Sequence, residues 1–220
     1  GPTSAKASCE LTLPASNALA GSETYTIAQA NRTFSVASNR DTGMASFVLY
    51  EVDGNGKVDT DAEDLVLSRT ESLNNAGASF SQLILLEGRM KTVTGTFSTT
   101  DSIHTISLSD KSIIEGSISV KTGSGDIYKE VENLFLADPS SLLFSKTYAD
   151  DYSATLIFGD DVRGKSPTPN DTYTVTYRTG GGTRGNIAPS AINVTIPGTH
   201  SDDGAVDAEV INSTKATGGS

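Results

Sequence analysis

The sequence predicts an all-β protein built as two antiparallel, sandwich-like domains. Three observations carry that prediction. Short runs of β-type residues recur along the chain, separated by turn residues, and helical periodicity is missing. Apolar content is 36%, Trp is absent and there are only two Met, which suits the thin core of packed sheets. Thr and Ser are abundant, as exposed strand faces and turns require.

The strands follow in order. The first half reads as Ser8–Leu13, Glu23–Ile27, Arg32–Ala37, Met44–Val52, Asp64–Leu67 and Ser79–Leu86. Val52 and Val58 flank Asn55-Gly56, a strong tight-turn signal, so a hairpin is expected there. Leu83 to Leu86 is continuously apolar and reads as a strand buried on both faces. Glu87-Gly88 marks a domain boundary. Beyond it come Lys91–Phe97, Ile103–Leu108, Ser117–Lys121, Ile127–Glu130, Leu142–Tyr148, Ala154–Phe158 and Thr172–Arg178. The stretch 131–138 is expected to make one short helical turn. Pro167 and Pro169 keep the loop before Thr172 out of any ladder. The strands Ala191–Ile196 and Val206–Ile211 follow, and the polar tail 214–220 reads as a linker or cut end. The regular alternation of strand and turn argues for sandwiches or barrels.

Composition excludes several function classes. The net charge of −11 argues against nucleic acid and against an anionic membrane surface, since both need clustered Lys and Arg. Cys9 is the only cysteine, so neither an intrachain disulfide nor a Cys-based metal site is expected. No apolar run approaches the roughly 18 residues that span a bilayer, and the first residues carry no apolar signal region. The sequons at Asn31, Asn170, Asn193 and Asn212 are expected matches in a chain this rich in Ser and Thr.

Four constellations could carry chemistry. His104 lies in the alternating run SIHTISL and reads as a strand-face residue; His200 sits beside Asp202 and Asp203 in a solvated turn. No G-x-S-x-G elbow marks an activated serine. The acidic stretch DGNGKVDTDAED is the best metal candidate, with Asp53, Asn55, Asp59, Asp61 and Asp64 as possible calcium ligands. Four of them, Asp53, Asn55, Asp61 and Asp64, fall on the first, third, ninth and twelfth positions of a calcium loop. However, Lys57 and Val58 stand where that loop needs a carboxylate and a glycine, so a plain hairpin with an acidic loop competes with it. Gly180-Gly181-Gly182 with Arg184 superficially suggests a phosphate loop, but no Lys-Ser/Thr ending and no following helix accompany it.

A different kind of signal lies in the order of the turn residues. Glu87-Gly88 is followed by Phe158-Gly159-Asp160 with Gly164, and then by a Pro-containing loop. Next come a strand ending in Tyr177-Arg178, then Gly181-Gly182, then Gly185-Asn186. This order resembles the baseplate-J-like family, which includes wedge subunits of contractile phage tails. The likeness runs from about Leu11 to Ser220 and is strongest from Glu87 to Asn186. Asp161 departs from the pattern, since the family more often has Gly there, and so does Ser190-Ala191, where it often has Ala-Gly. The resemblance implies that residues 89–182 are inserted into a first domain made of 5–88 and 183–213. It implies a non-enzymatic virion protein of the tail baseplate, assembled in the bacterial host cytoplasm, without cofactor. Its implied partners are a second copy, as dimer or ring, and other wedge proteins. Gly159, Gly164, Gly181, Gly182, Gly185 and Asn186 are then turn and hinge residues, and Arg178 and Arg184 candidate interface or strand-end anchors. Two rivals stand beside it. One is a surface adhesin or carbohydrate-binding sandwich with the calcium loop. The other is a tail-spike hydrolase, which would need Asp150, Asp151, Asp160 and Asp161 to converge.

Overall fold

The computed structural model describes residues 2–13, 23–27, 33–37, 44–55, 57–59, 65–69, 78–180, 186–200 and 204–220. Its strands, in chain order, are β1 Lys6–Leu13, β2 Glu23–Ile27, β3 Thr33–Ala37, β4 Met44–Val52, β5 Val58–Asp59, β6 Leu65–Arg69, β7 Ala78–Glu87 and β8 Arg89–Thr96. They continue as β9 Thr105–Leu108, β10 Ser119–Thr122, β11 Ile127–Glu130, β12 Leu143–Tyr148, β13 Ala154–Phe158, β14 Thr172–Thr179, β15 Asn193–His200 and β16 Gly204–Asn212. The fold is all-β, with two curled sheets and no helix among the described residues. The chain divides into two compact units, one of residues 2–89 with 180–220 and the other of residues 90–179.

In the first unit the sheet runs β3-β4-β7-β1-β16-β15-β2-β6, with β5 paired to β4. β1 is its centre, and its sequence alternates strictly. Ala7, Cys9, Leu11 and Leu13 are buried, while Lys6, Ser8, Glu10 and Thr12 face outward. That period of two is what a half-buried strand demands. The inward residues join Phe47, Leu49, Leu83, Leu85, Ile196, Ala208 and Val210 in one core, so the curled sheet wraps around its own apolar face. Burial raises the Cys9 thiol to about 12, which keeps it protonated and inert. The expectation that Leu83–Leu86 is buried on both faces is corrected. Leu83 and Leu85 enter the core, whereas Ile84 and Leu86 are half-buried beside Tyr50 and Val48 on the opposite face.

The tail 214–220 is not a free linker. Thr217 bridges Lys6, Ala216 is fully buried, and the Thr3 amide donates to the Ser220 carbonyl. Tail and N-terminal segment satisfy each other's backbone groups, which a solvated linker would leave to water.

In the second unit the order is β8-β14-β10-β11-β12-β13-β9. One expectation fails here: β11 and β12 pair in parallel, Lys129 against Leu143 and Glu130 against Phe144. The sheet is therefore mixed. The connection over 131–142 is about a dozen residues, the length a parallel crossover needs. Its expected helical turn is a tight turn instead, closed by the Ala137 amide on the Leu134 carbonyl at 3.1 Å. The core holds Phe97, Tyr128, Phe144 and Phe158, with Phe158 meeting Phe97 and Tyr128 edge-on at 5.4 and 5.1 Å. Such aromatic pairs each add about 0.5–1.5 kcal/mol beyond area burial. The chain enters by β8 and leaves by β14, and these strands are neighbours in the sheet.

Candidate functional site

The most constructed feature of the second unit is the loop that follows β13. Gly159 and Gly164 are both buried, and their backbones touch. A Cβ on Gly159 would collide with the Gly164 carbonyl group and stand 2.7 Å from the Arg163 carbonyl oxygen. Gly164 itself has φ +87°, a region that favours glycine. Asp160 caps the turn, its Oδ1 accepting from the Val162 and Arg163 amides at 3.0 and 2.8 Å. Those two bonds, Arg163's first, hold the Asp160 carboxyl below its usual range. Asp161 adopts φ +68° and accepts from the Ser166 amide at 2.8 Å. The loop is then pinned to the 131–142 connection: Gly164 donates to the Asp138 carbonyl at 3.1 Å and Lys165 to the Ser141 carbonyl at 2.8 Å. Gly159, Asp160, Asp161 and Gly164 are thereby spent on geometry.

The paired aspartates do not converge. Asp151 accepts from the Ser153 hydroxyl at 2.6 Å and the Ser153 amide at 3.0 Å, at the end of β13 where Asp150 also lies. Asp160 and Asp161 lie beyond the other end, and a five-residue strand separates the pairs by about 16 Å. A glycoside hydrolase holds its two carboxylates within about 10 Å.

The first-unit acidic loop closes as a hairpin. Val52 pairs with Val58 and Glu51 with Asp59, and the Asp53 amide donates to the Lys57 carbonyl at 2.9 Å. Asp53 Oδ1 accepts from the Asn55 and Lys57 amides at 2.9 and 2.8 Å, so this carboxylate oxygen serves the turn. Asp61 and Asp64 lie outside the described residues, as do Asp202 and Asp203. Among the described residues no cluster of three or more His, Cys, Asp or Glu is placed to hold a metal.

His104 is buried edge-on against Phe97 at 5.3 Å, with its carbonyl accepting from the Phe158 amide. Arg178 is only 5% exposed, and its backbone is held from both sides by Ile114 and Ser117. Of the two roles expected for Arg178, interface or strand-end anchor, its burial speaks against an exposed contact, while its place near the end of β14 keeps it at a strand end. Asn186 brackets one residue, its Oδ1 accepting from the Gly219 amide at 3.2 Å and its Nδ2 donating to the Gly219 carbonyl at 3.4 Å. It acts as a clamp on the tail. Gly181, Gly182, Arg184 and Gly185 lie outside the described residues. The departure and return of the chain are marked by other glycines, Gly88 at φ +134° and Gly180 at φ +122°. A Cβ on Gly180 would lie 3.8 Å from the Gly88 Cα.

Sequence reasoning missed two polar nodes. Lys146, on β12, bridges Glu115 at 2.7 Å and Glu130 at 2.9 Å, and the Tyr148 hydroxyl donates to Glu115 at 2.6 Å. The bonds from Lys146 and Tyr148 pull Glu115 down to about 2. Burial works against the Lys146 charge, yet its bonds to Glu115 and Glu130 outweigh it and raise the ammonium above its ordinary value. The second node joins Lys91, Asp110 and Tyr177: Lys91 donates to Asp110 at 2.9 Å and the Tyr177 hydroxyl to its other oxygen. Both tie strands to connections through ion pairs.

No protein-family model matches the chain, and a search of curated proteins finds no match.

Proposed function

We propose that the chain is a structural part of a contractile-tail baseplate wedge, linking wedges into a ring and passing on the rearrangement that starts sheath contraction. The observation that carries this reading is the fate of the ordered turn motif. Among the described residues it builds backbone geometry: Gly159 against Gly164 and Asp160 as a cap, with Asp161 bonding the same loop and Gly88 beside Gly180, the residue before Gly181-Gly182. Asp161 stands where the resembled family more often has Gly, and its φ of +68° is a conformation glycine takes freely. The discontinuous first unit agrees with the insertion that the resemblance implies. Curled sheets with half-buried ion pairs between strands and connections suit a stiff spacer, and sheet edges suit contacts with neighbours.

The adhesin reading gains less support, because one carboxylate oxygen of Asp53, at the first position of the calcium loop, already caps its own turn. Sedimentation velocity with millimolar calcium and with chelator tests the choice. The wedge reading expects concentration-dependent self-association, indifferent to calcium. A strict monomer whose shape or stability changes with calcium would favour the adhesin.

A further inference from the structure

Two large apolar residues occupy the tip of an exposed turn in the second unit. The turn Leu134–Ala137 is closed by its own hydrogen bond, and Phe135 and Leu136 sit at its centre, 66% and 89% exposed. Turn centres favour Gly, Asn, Asp, Ser and Pro for conformational reasons, and neither Phe nor Leu serves any of them. Val162, 67% exposed, stands on the adjoining loop, and the Arg163 guanidinium lies 4.5 Å from the Phe135 ring centre. The knob is rigid before it meets anything. The Asn133 side chain accepts from the Phe135 amide at 3.1 Å, Asp160 caps the neighbouring turn, and Gly164 and Lys165 bond the two loops together. Preorganisation of this kind removes the ordering cost of binding.

The rim around the knob decides what it fits. Glu132, Asp138, Asp160 and Asp161 are all exposed there; of the two cations in these loops, Arg163 covers the Phe135 ring and Lys165 is paired with Asp126 at 2.9 Å. We infer that Phe135, Leu136 and Val162 form a plug that inserts into an apolar pocket rimmed by Lys and Arg on a separate protein. A second copy seated by the same knob would bring one acidic rim against another. An anionic bilayer would repel the same carboxylates. An apolar centre with a charged, complementary rim is the common anatomy of a specific protein interface. The inference does not rest on the wedge reading and holds for any assembly.

The test places the photoreactive residue benzoylphenylalanine at position 136 of the full chain, with Thr99 as control position, in the cells that make the protein. Adducts are mapped by mass spectrometry. The cross-linked peptide is then synthesised, and its Kd for the unlabelled chain measured. The expected result is an adduct, absent from the control, on a different polypeptide, in a segment with apolar residues flanked by Lys or Arg. Phe135→Ser and Leu136→Ser should each weaken the peptide by at least about tenfold, and binding should fall as salt rises. Because these side chains are exposed, circular dichroism should show both variants folded. An adduct within the same chain, on a second copy, on lipid, or on a neutral or acidic segment would overturn the proposal. So would the lack of any adduct above the control.

Discussion

Replacing Gly159 with Ala tests whether the loop after β13 is held by backbone contact. The new Cβ would meet the carbonyl group of Gly164 and the Arg163 carbonyl oxygen, all of them main chain. The loop must retreat by about 1 Å to recover ordinary contact. That retreat removes the Asp161 amide from the Gly164 carbonyl, now at 2.9 Å, and the Gly164 amide from the Asp138 carbonyl, now at 3.1 Å. Overpacking costs about 1–3 kcal/mol and each of the two lost hydrogen bonds about 1 kcal/mol, so a loss of about 3–5 kcal/mol is expected. With a urea slope of about 2 kcal/mol/M, the midpoint falls by about 1.5–2.5 M. Tyrosine fluorescence is a suitable readout, because the chain has no Trp and five of its seven Tyr (128, 148, 152, 173 and 177) lie in the second unit. Gly95→Ala is the matched control. Its Cβ also collides on paper, but with the ring end of Tyr173, a side chain that can swing aside, so under about 1 kcal/mol is expected. A Gly159→Ala loss under about 0.5 kcal/mol, or equal losses for the two variants, would refute the reasoning.

Further outcomes follow from the polar nodes. Asn212 is fully buried, accepts from the Ile192 amide at 2.8 Å and donates to the Ala188 and Thr214 carbonyls, so Asn212→Ala should lose about 2–4 kcal/mol in chemical denaturation. Glu115 has its carboxyl held at about 2 against an ordinary 4.5, so its contribution is complete above pH 4.5 and fades as pH falls towards 2. With a side chain 41% exposed the contribution is screened to about 1 kcal/mol; Glu115→Gln should cost that at pH 7 and progressively less across the acid range in urea titrations. Asp53→Ala should lower stability by about 1 kcal/mol through the two turn amides, equally in calcium and in chelator, by thermal denaturation.

Much of the fold was legible because it is local. β1 announces itself by alternation, and the β4–β5 hairpin by Asn55-Gly56 between two valines. Gly159 and Gly164 could be read as turn residues, although not that each excludes a side chain at the other. What stayed hidden depends on residues far apart in sequence. Lys146 meets Glu115 and Glu130 only because β12 is brought beside β11, and that parallel pairing leaves no mark on either strand. The burial of Arg178 was equally invisible, since a polar residue at a strand end reads as exposed. The tail 214–220 looked like a linker because its ordering comes from Lys6 and Asn186, not from its own composition. Phe135 and Leu136 were read as part of a helical turn, and only the observed turn puts them in solvent.

The most direct measurement of the central claim is immunogold electron microscopy. An antibody raised against this chain is applied to particles produced by the genome that encodes it. The account predicts gold grouped at the baseplate end of contractile tails, on both extended and contracted particles. Label on fibres, on spikes or on the cell surface, or tails without label beside labelled cell envelopes, would contradict it.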